Sequence, residues 1–237
     1  MYLCGCNQKF LFMEIVYEDN HIIIVNKAPG EIVQGDKTGD EPLVEVVRRY
    51  IKEKYQKPGN VFCGLVHRLD RPVGGLVVFA KTSKALSRLN EMFRLGQVHK
   101  TYRAMTRFEP PKESDRLVHY ITTVERNNKS YASLQPKPGA KEAALTYKLI
   151  GRSDRFFLVE INIETGRKHQ IRVQMSAIGC PIKGDLKYGD KRSNPDGSIS
   201  LYAHRLQFVH PVSKELIDVT AKAPEGDKLW GVFTPVE

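Results

Sequence analysis

One short segment of the sequence places an acid between two arginines in a context typical of a tight loop. Residues 67–72 read H-R-L-D-R-P, and one valine separates this segment from a pair of glycines at positions 74 and 75. Proline and glycine favour tight turns, and such loops often present functional side chains. Asp70 could act there as a nucleophile or proton acceptor, kept ionised by Arg68 or Arg71. The competing interpretation is a surface Asp–Arg pair, which this segment taken alone favours.

A second group of polar residues lies at the start of a predicted helix. Residues 164–172 read E-T-G-R-K-H-Q-I-R. Helical spacing over residues 167–178 puts the apolar residues on one face and His169, Arg172 and Ser176 on the other. We therefore expect Arg172 to point towards solvent or a cleft rather than to be held by the core. The helix N-terminus suits a phosphate or a carboxylate, although a solvated basic helix start fits the spacing equally well.

A third group follows that helix. Residues 179–189 read G-C-P-I-K-G-D-L-K-Y-G, a pattern that indicates tight backbone geometry. Asp185 could be a second functional acid, but a structural role in a turn is the favoured interpretation.

The rest of the sequence predicts the elements that must position these residues. Strands outnumber helices, and hairpins outnumber β-α-β crossovers, so we predict an α+β fold with a mostly antiparallel mixed β-sheet and flanking helices. Polar stretches with proline or glycine predict loops over residues 109–115 and 126–141. Predicted strands cover 22–25, 76–80, 102–107, 145–150, 156–163, 201–209 and 216–220. Predicted helices cover 42–50, the segment between a Thr82 or Ser83 cap and Gly96, and 167–178.

Charge is the first property that points to a partner. The 237 residues include 37 Lys and Arg against 27 Asp and Glu, a formal net charge of +10. Such a surplus favours a polyanion such as a nucleic acid, while a basic protein without such a partner is about equally compatible with charge alone.

The cysteines and the hydropathy pattern narrow the class of protein. The four cysteines show neither a C-x-x-C pair nor a Cys/His quartet at zinc spacing, so we predict no metal site and a reduced, cytoplasmic protein. No apolar run approaches the ~20 residues that span a bilayer, so we predict no membrane association.

Taken together and in order, these segments resemble the RluA family of pseudouridine synthases. H-R-L-D at residues 67–70 resembles the family signature, and K-T-Y-R-A at 100–104 resembles its K-x-Y-x-A segment. Residues 165–172 resemble T-G-R-x-H-Q-I-R, and 181–185 resemble P-I-x-G-D. The resemblance begins with a predicted strand pair formed by residues 15–19 and 25–27 and ends near His210.

The resemblance implies a function and a role for individual residues. It implies isomerisation of uridine to pseudouridine in ribosomal or transfer RNA, with no cofactor and with the target base flipped out of its stack. Asp70 would be the catalytic carboxylate, Tyr102 would stack on the base, and Arg172 would pair with Asp70, with Arg167 as second choice. Leu201 would line the uracil pocket. We also expect substrate contacts from Arg68, Arg71, Arg167 and His169.

Two features of the sequence depart from the family pattern. Where the family usually has Thr-Ser-Gly after its Asp, residues 73–75 read V-G-G, and the lost hydroxyls could loosen the loop or alter RNA contacts. We also expect no N-terminal S4-type RNA-binding domain. We predict that residues 13–237 form one catalytic domain that acts as a monomer, that residues 1–12 are a non-native extension, and that Met13 is the native start.

Two alternatives stay open at the level of sequence. A non-catalytic RNA-binding protein would share the charge and the aromatic residues, but it would not need Asp70 beside Arg172. A glycosidase would need two acids flanking the scissile bond, and Asp185 is the acid available in these motifs. A protein kinase is excluded, because H-R-L-D is not H-R-D and no glycine loop or D-F-G segment is present.

Overall fold

The computed structural model describes residues 13–225 and 227–236, and in this part of the chain three α-helices flank one large sheet. The predicted α+β class is confirmed, whereas the predicted extension over residues 1–12 lies outside the described residues. The helices are α1 (Leu43–Lys54), α2 (Ser83–Arg94) and α3 (Gln170–Ala177). The strands are β1 (Glu14–Glu18), β2 (Ile22–Lys27), β3 (Gly64–Leu65), β4 (Gly74–Ala80), β5 (His99–Thr106), β6 (Ser114–Val124), β7 (Lys129–Ser133), β8 (Lys141–Arg152), β9 (Phe157–Ile163), β10 (Leu201–Val209), β11 (Leu216–Thr220) and β12 (Thr234–Pro235).

The sheet is mostly antiparallel, as the sequence predicts. Its strand order is β1-β2-β4-β10-β5-β9-β8-β6-β7, with β3 beside β4, β11 beside β10 and β12 beside β8. Among the described strand pairs, only β4 and β10 run parallel. That pair lies near the middle of the order, so strands distant in sequence meet there.

The central strands are buried on both faces of the sheet. Along β2, Ile23 and Val25 join the core that α1 and α3 cover, whereas Ile22 and Ile24 join the core that α2 covers. Burial on both faces explains why these strands read as continuous apolar runs rather than as an alternating pattern.

Local signals in the sequence fix the ends of α2. The Thr82 hydroxyl accepts a hydrogen bond from the Ala85 N–H at 3.2 Å, and so satisfies a donor that the first turn leaves unpaired. Gly96, just beyond the helix, has φ of 69°, a conformation that glycine adopts readily. The predicted cap and the predicted end are both confirmed.

The predicted loops are wrong in part. The segment 126–141 contains β7, which pairs antiparallel with β6, and the segment 109–115 gives way to β6 at Ser114. Since β7 lies at the end of the strand order and buries only Ser130, its sequence lacks the apolar alternation that would reveal a strand.

Candidate active site

A cleft of about 1010 Å³ opens on the face of the sheet that α1 and α3 cover. It brings together side chains from segments far apart in sequence: the 67–73 loop, β5, the 163–172 segment and the start of β10. All eight site residues predicted from the sequence line it: Asp70, Tyr102, Arg172, Arg68, Arg71, Arg167, His169 and Leu201.

The loop that carries Asp70 is held by hydrogen bonds to its own backbone. The Val73 N–H donates to the Asp70 carbonyl at 3.0 Å, which closes a tight turn. The buried Lys27 ammonium donates to three carbonyls, those of Ala28 (2.9 Å), Glu31 (2.8 Å) and Arg71 (3.2 Å). Burial lowers the pKa of Lys27 to about 8, although the charges of Glu31 and Asp70 oppose this shift. The ammonium is therefore still mostly charged at neutral pH, and the three carbonyls accept its hydrogen bonds.

The glycine pair after the loop permits a close approach of two strands. A Cβ on Gly75, whose φ is 108°, would lie 2.3 Å from the Ala203 carbonyl oxygen, so no other residue fits against β10. A Cβ on Gly74 would lie 3.2 Å from Pro29, which is tight but not prohibitive. Val73 is buried and lines the cleft, so an apolar side chain replaces the hydroxyl expected from the family pattern.

Arg172 links two carboxylates at the base of the cleft. Its Nη1 donates to Asp70 Oδ2 at 2.9 Å, while Nε and Nη2 donate to the two oxygens of Asp185 at 2.7 and 2.9 Å. Burial disfavours the charge of Arg172, but the hydrogen bonds and charges of Asp185 and Asp70 raise its pKa above the usual value. The guanidinium is therefore a fixed cation aimed at Asp70.

These contacts correct the expectation that Arg172 is not held inside the protein, and they favour a structural role for Asp185. Arg172 does face the cleft, but it is only 6% exposed, because Asp185 meets it inside the protein. Asp185 is 1% exposed and bound through both oxygens, so it is a structural partner of Arg172 and not a second acid flanking a bond to be cleaved.

The helix that carries Arg172 begins three residues later than predicted. His169 adopts left-handed backbone conformation, with φ of 56°, and therefore cannot belong to the helix. The Gln170 side-chain oxygen instead accepts from the Arg167 N–H at 2.9 Å and from the Thr165 hydroxyl at 2.7 Å. These contacts pair polar groups of the segment just before α3 and orient the first turn of the helix towards the cleft.

Two apolar residues form one wall of the cleft beside Asp70. Tyr102 on β5 is 7% exposed and Leu201 at the start of β10 is 3% exposed. Burial, helped by the charge of Asp70, raises the pKa of Tyr102, so the phenol stays neutral. A neutral ring and an aliphatic side chain next to a carboxylate suit a flat, uncharged heterocycle.

Each of the three predicted arginines at the rim contacts one neighbouring group. Arg68 donates to the Gln34 side chain at 3.0 Å, Arg71 pairs with Asp40, and Arg167 Nε donates to the Glu142 carbonyl at 2.9 Å. All three are exposed or nearly so, and their contacts leave further N–H donors for a ligand.

Two lysines were missed by the sequence reasoning. Lys100 lines the cleft with its ammonium 5.1 Å from the Phe93 ring centroid, and burial lowers its pKa. Lys187 also lines the cleft and donates to the Asn128 carbonyl at 3.0 Å. Lys100 belongs to the K-x-Y-x-A segment, and Lys187 directly precedes Tyr188. Their positions in or beside these motifs were the sequence signal that could have identified both lysines as cleft residues.

The described residues, 13–225 and 227–236, contain neither a cluster of metal ligands nor a membrane-spanning helix. No group of three or more His, Cys, Asp or Glu side chains there is arranged to hold a metal ion. No helix in that part of the chain combines the length and apolar character needed to cross a membrane.

Comparison with known proteins gives consistent matches over most of the chain. The sequence model of the family described as RNA pseudouridylate synthase matches residues 21–177. Ribosomal large subunit pseudouridine synthase D of Zymomonas mobilis is 31% identical over 92% of this chain and 71% of its own length. The tRNA pseudouridine synthase C of Vibrio parahaemolyticus is 31% identical over 95% of both chains. The solved structure of human RNA pseudouridylate synthase domain containing 4 aligns with a TM-score of 0.75 at 25% identity, covering 90% of this chain and 89% of the other.

Proposed function

Because this chain belongs to the RNA pseudouridine synthase family, we propose that it converts uridine to pseudouridine in ribosomal or transfer RNA, with Asp70 as the catalytic carboxylate. The observation that carries the role of Asp70 is its pairing with a buried guanidinium inside the cleft, 2.9 Å from Arg172 Nη1. The two substrate classes follow the names of the relatives, which act on ribosomal RNA in one case and transfer RNA in the other.

The reaction itself explains why one carboxylate is sufficient. Isomerisation breaks the bond between C1′ and N1 and forms a bond between C1′ and C5, so substrate and product contain the same atoms and no electron is gained or lost. No cofactor is needed for that balance. The enzyme has to hold the detached base, turn it, and accept and return a proton.

The contacts of Asp70 distinguish its two oxygens. Oδ2 receives the Arg172 N–H at 2.9 Å, whereas among the described residues Oδ1 accepts no hydrogen bond. The side chain is 29% exposed, so Oδ1 is open to the cleft. Oδ1 is thus the oxygen that meets the sugar or the base, while Oδ2 anchors the carboxylate.

The cleft also has the size and lining for a flipped base. Removing a uridine from its stack costs a few kcal/mol. Stacking on Tyr102 and contact with Leu201 offset part of that cost, since stacking of a base on an aromatic ring contributes ~1–3 kcal/mol. A volume of about 1010 Å³ accommodates one nucleotide.

Basic side chains around the cleft hold the RNA backbone. Arg68, Arg71 and Arg167 lie at the rim of the cleft, and the whole chain carries a net charge of +10. Phosphate contacts of this kind lose affinity steeply as salt rises. We further propose that the protein acts as a monomer in the cytoplasm, where its buried thiols, Cys63 and Cys180, stay reduced.

The test is release of tritium from RNA labelled at uridine C5, with ribosomal and transfer RNA assayed separately. We expect release by the wild-type protein from one of them, and a loss of at least ~10³-fold for Asp70→Asn with RNA binding retained. Asp36→Asn is the matched control, because Asp36 is an exposed acid on the rim of the same cleft. Normal turnover by Asp70→Asn would refute the assignment. Binding of both RNAs without release would instead favour a non-catalytic RNA-binding protein.

A further inference from the structure

The hydroxyl of Tyr188 joins a buried backbone amide to the histidine beside Asp70. The Ser130 N–H donates to Tyr188 Oη at 2.8 Å, and Tyr188 Oη lies 2.8 Å from His169 Nδ1. The other ring nitrogen, His169 Nε2, lies 3.7 Å from Asp70 Oδ2. Ser130, Tyr188 and His169 are all buried, so water does not compete for these contacts.

Hydrogen-bond accounting fixes where the imidazole proton lies. Tyr188 Oη already accepts from the Ser130 N–H, so its own proton needs an acceptor. Among the hydrogen bonds of the described residues, His169 Nδ1 is the atom that can receive that proton. Nδ1 is then the acceptor, and the imidazole proton lies on Nε2, facing Asp70.

We propose that Tyr188 is a positioning residue that fixes His169 as the Nε2–H tautomer, so that a neutral N–H donor faces Asp70 Oδ2. This inference rests on the proposed catalytic role of Asp70. Arg172 and His169 then address the same carboxylate oxygen, and Oδ1 is left for the substrate. The 3.7 Å separation is too long for a hydrogen bond in the free enzyme, and a shift of less than ~1 Å on substrate binding would close it.

The surroundings of His169 keep it neutral. Burial lowers its pKa to about 4; the charge of Asp70 opposes this shift, and the positive charges of Arg172, Lys187 and Lys168 reinforce it. Protonation of Nδ1 would also leave the Tyr188 proton without its acceptor. A second cation beside Asp70 would stabilise the carboxylate further and make it a weaker nucleophile, so neutrality serves the reaction.

The backbone and the ring of Tyr188 are held independently of its hydroxyl. The Ser176 hydroxyl donates to the Tyr188 carbonyl at 2.6 Å, and the Arg172 guanidinium lies 5.0 Å from the ring centroid. His169 has φ of 56°, a strained conformation for a residue other than glycine. The backbone is therefore fixed at both Tyr188 and His169, and it holds the phenol oxygen next to the imidazole.

The first experiment reads the tautomer directly, through long-range ¹H–¹⁵N correlation spectra of the protein labelled with ¹⁵N-histidine. His169→Gln identifies the signal among the seven histidines. We expect a pure Nε2–H pattern in the wild type and a mixture of tautomers in Tyr188→Phe. Tyr131→Phe is the matched control, since it removes an exposed phenol hydroxyl from the same strand as Ser130 and should change nothing. An Nδ1–H pattern in the wild type, or an unchanged pattern in Tyr188→Phe, would overturn the proposal.

The second experiment measures turnover. We expect His169→Leu to lower kcat by ~10–100-fold with KM changed less than ~3-fold, and His169→Gln, whose amide N–H reaches the Nε2 position, to recover most of that loss. Tyr188→Phe should move the acid limb of the kcat profile to higher pH, because the neutral imidazole loses its hydrogen bond and its pKa rises. Equal losses in His169→Gln and His169→Leu would refute a donor role. A wild type with the Nε2–H pattern but no tritium release would refute the proposed function and leave the tautomer assignment intact.

Discussion

Replacing Asp185 by asparagine tests whether the geometry of Arg172 controls the rate. The carboxylate of Asp185 accepts two of the three side-chain contacts of Arg172, at 2.7 and 2.9 Å, and the third goes to Asp70. Asparagine has nearly the same size, but its NH₂ group repels one guanidinium N–H. The variant keeps one hydrogen bond, to a neutral amide oxygen, where the wild type has two to a carboxylate.

The magnitude follows from the burial of the pair. Opposite unit charges ~4 Å apart at an effective dielectric of ~20 attract by ~4 kcal/mol. The amide loses this attraction but also avoids the cost of burying a carboxylate, so we expect a net loss of ~1–3 kcal/mol in the free energy of unfolding. Arg172 then gains freedom relative to Asp70, and a misplacement of ~1 Å costs ~10²-fold in kcat. KM should change less than ~3-fold, since RNA affinity depends mainly on phosphate contacts.

The assay pairs urea unfolding with tritium release, and Asp190→Asn is the matched control. Asp190 is also a buried acid of the segment after α3, and it accepts from Arg107 Nε at 2.9 Å, but Arg107 does not line the cleft. Both variants should lose stability, and only Asp185→Asn should lose kcat. Equal kcat values for the two variants and the wild type would show that Asp185 serves folding alone.

Three further changes test other parts of the structure. Gly75→Ala should lower the free energy of unfolding, measured in urea, by more than ~3 kcal/mol, because the added Cβ would lie 2.3 Å from the Ala203 backbone. Gly74→Ala should lower it much less, because its Cβ would lie 3.2 Å from Pro29. Similar losses in the two variants would contradict the close approach of the strands at Gly75. Tyr102→Leu should lower kcat by ~10²-fold while Tyr102→Phe keeps most activity, and an active Tyr102→Leu would rule out base stacking. Glu18 is buried, which raises its pKa, but hydrogen bonds from Lys54, Lys81, Tyr55 and Tyr50 together lower it from 4.5 to about 2. The stabilisation from Glu18 is therefore complete above pH 4.5 and is lost as pH falls through about 2. Urea unfolding should show a gap between wild type and Glu18→Gln that is widest at neutral pH and closes near pH 2, and a gap independent of pH would contradict this.

The elements that the sequence predicts well are those with local signals. The predicted bounds of β10 and β11 match the structure, since apolar alternation and flanking turn residues define both strands. The cap of α2 is equally local. By contrast, β7 is stabilised by its partner strand and lacks an apolar pattern of its own. Its existence depends on pairing, which periodicity cannot detect.

In the candidate site too, local sequence signals identify some features, whereas others depend on tertiary contacts. The types and order of Asp70, Tyr102 and Arg172 single them out in the sequence, but the second carboxylate on Arg172 depends on how the segment after α3 folds back. Asp185 and Arg172 are 13 residues apart, and only the turn after α3 brings them together. The left-handed conformation of His169 was also hidden, because a helical spacing continues through it. Tertiary contacts decide both features.

The register of three strands explains why the cleft forms where it does. Gly75, Ala203 and Tyr102 lie opposite one another across β4, β10 and β5. Because β4 and β10 are parallel, both begin at the same edge of the sheet, so the loop before β4 that carries Asp70 lies beside Leu201 at the start of β10. The sheet alone therefore brings the carboxylate of Asp70 next to the cleft wall that we propose for the base, whereas α3 supplies Arg172. A change in register, as in Gly75→Ala, must disturb base binding and chemistry together, but a change in the support of Arg172, as in Asp185→Asn, must disturb chemistry alone.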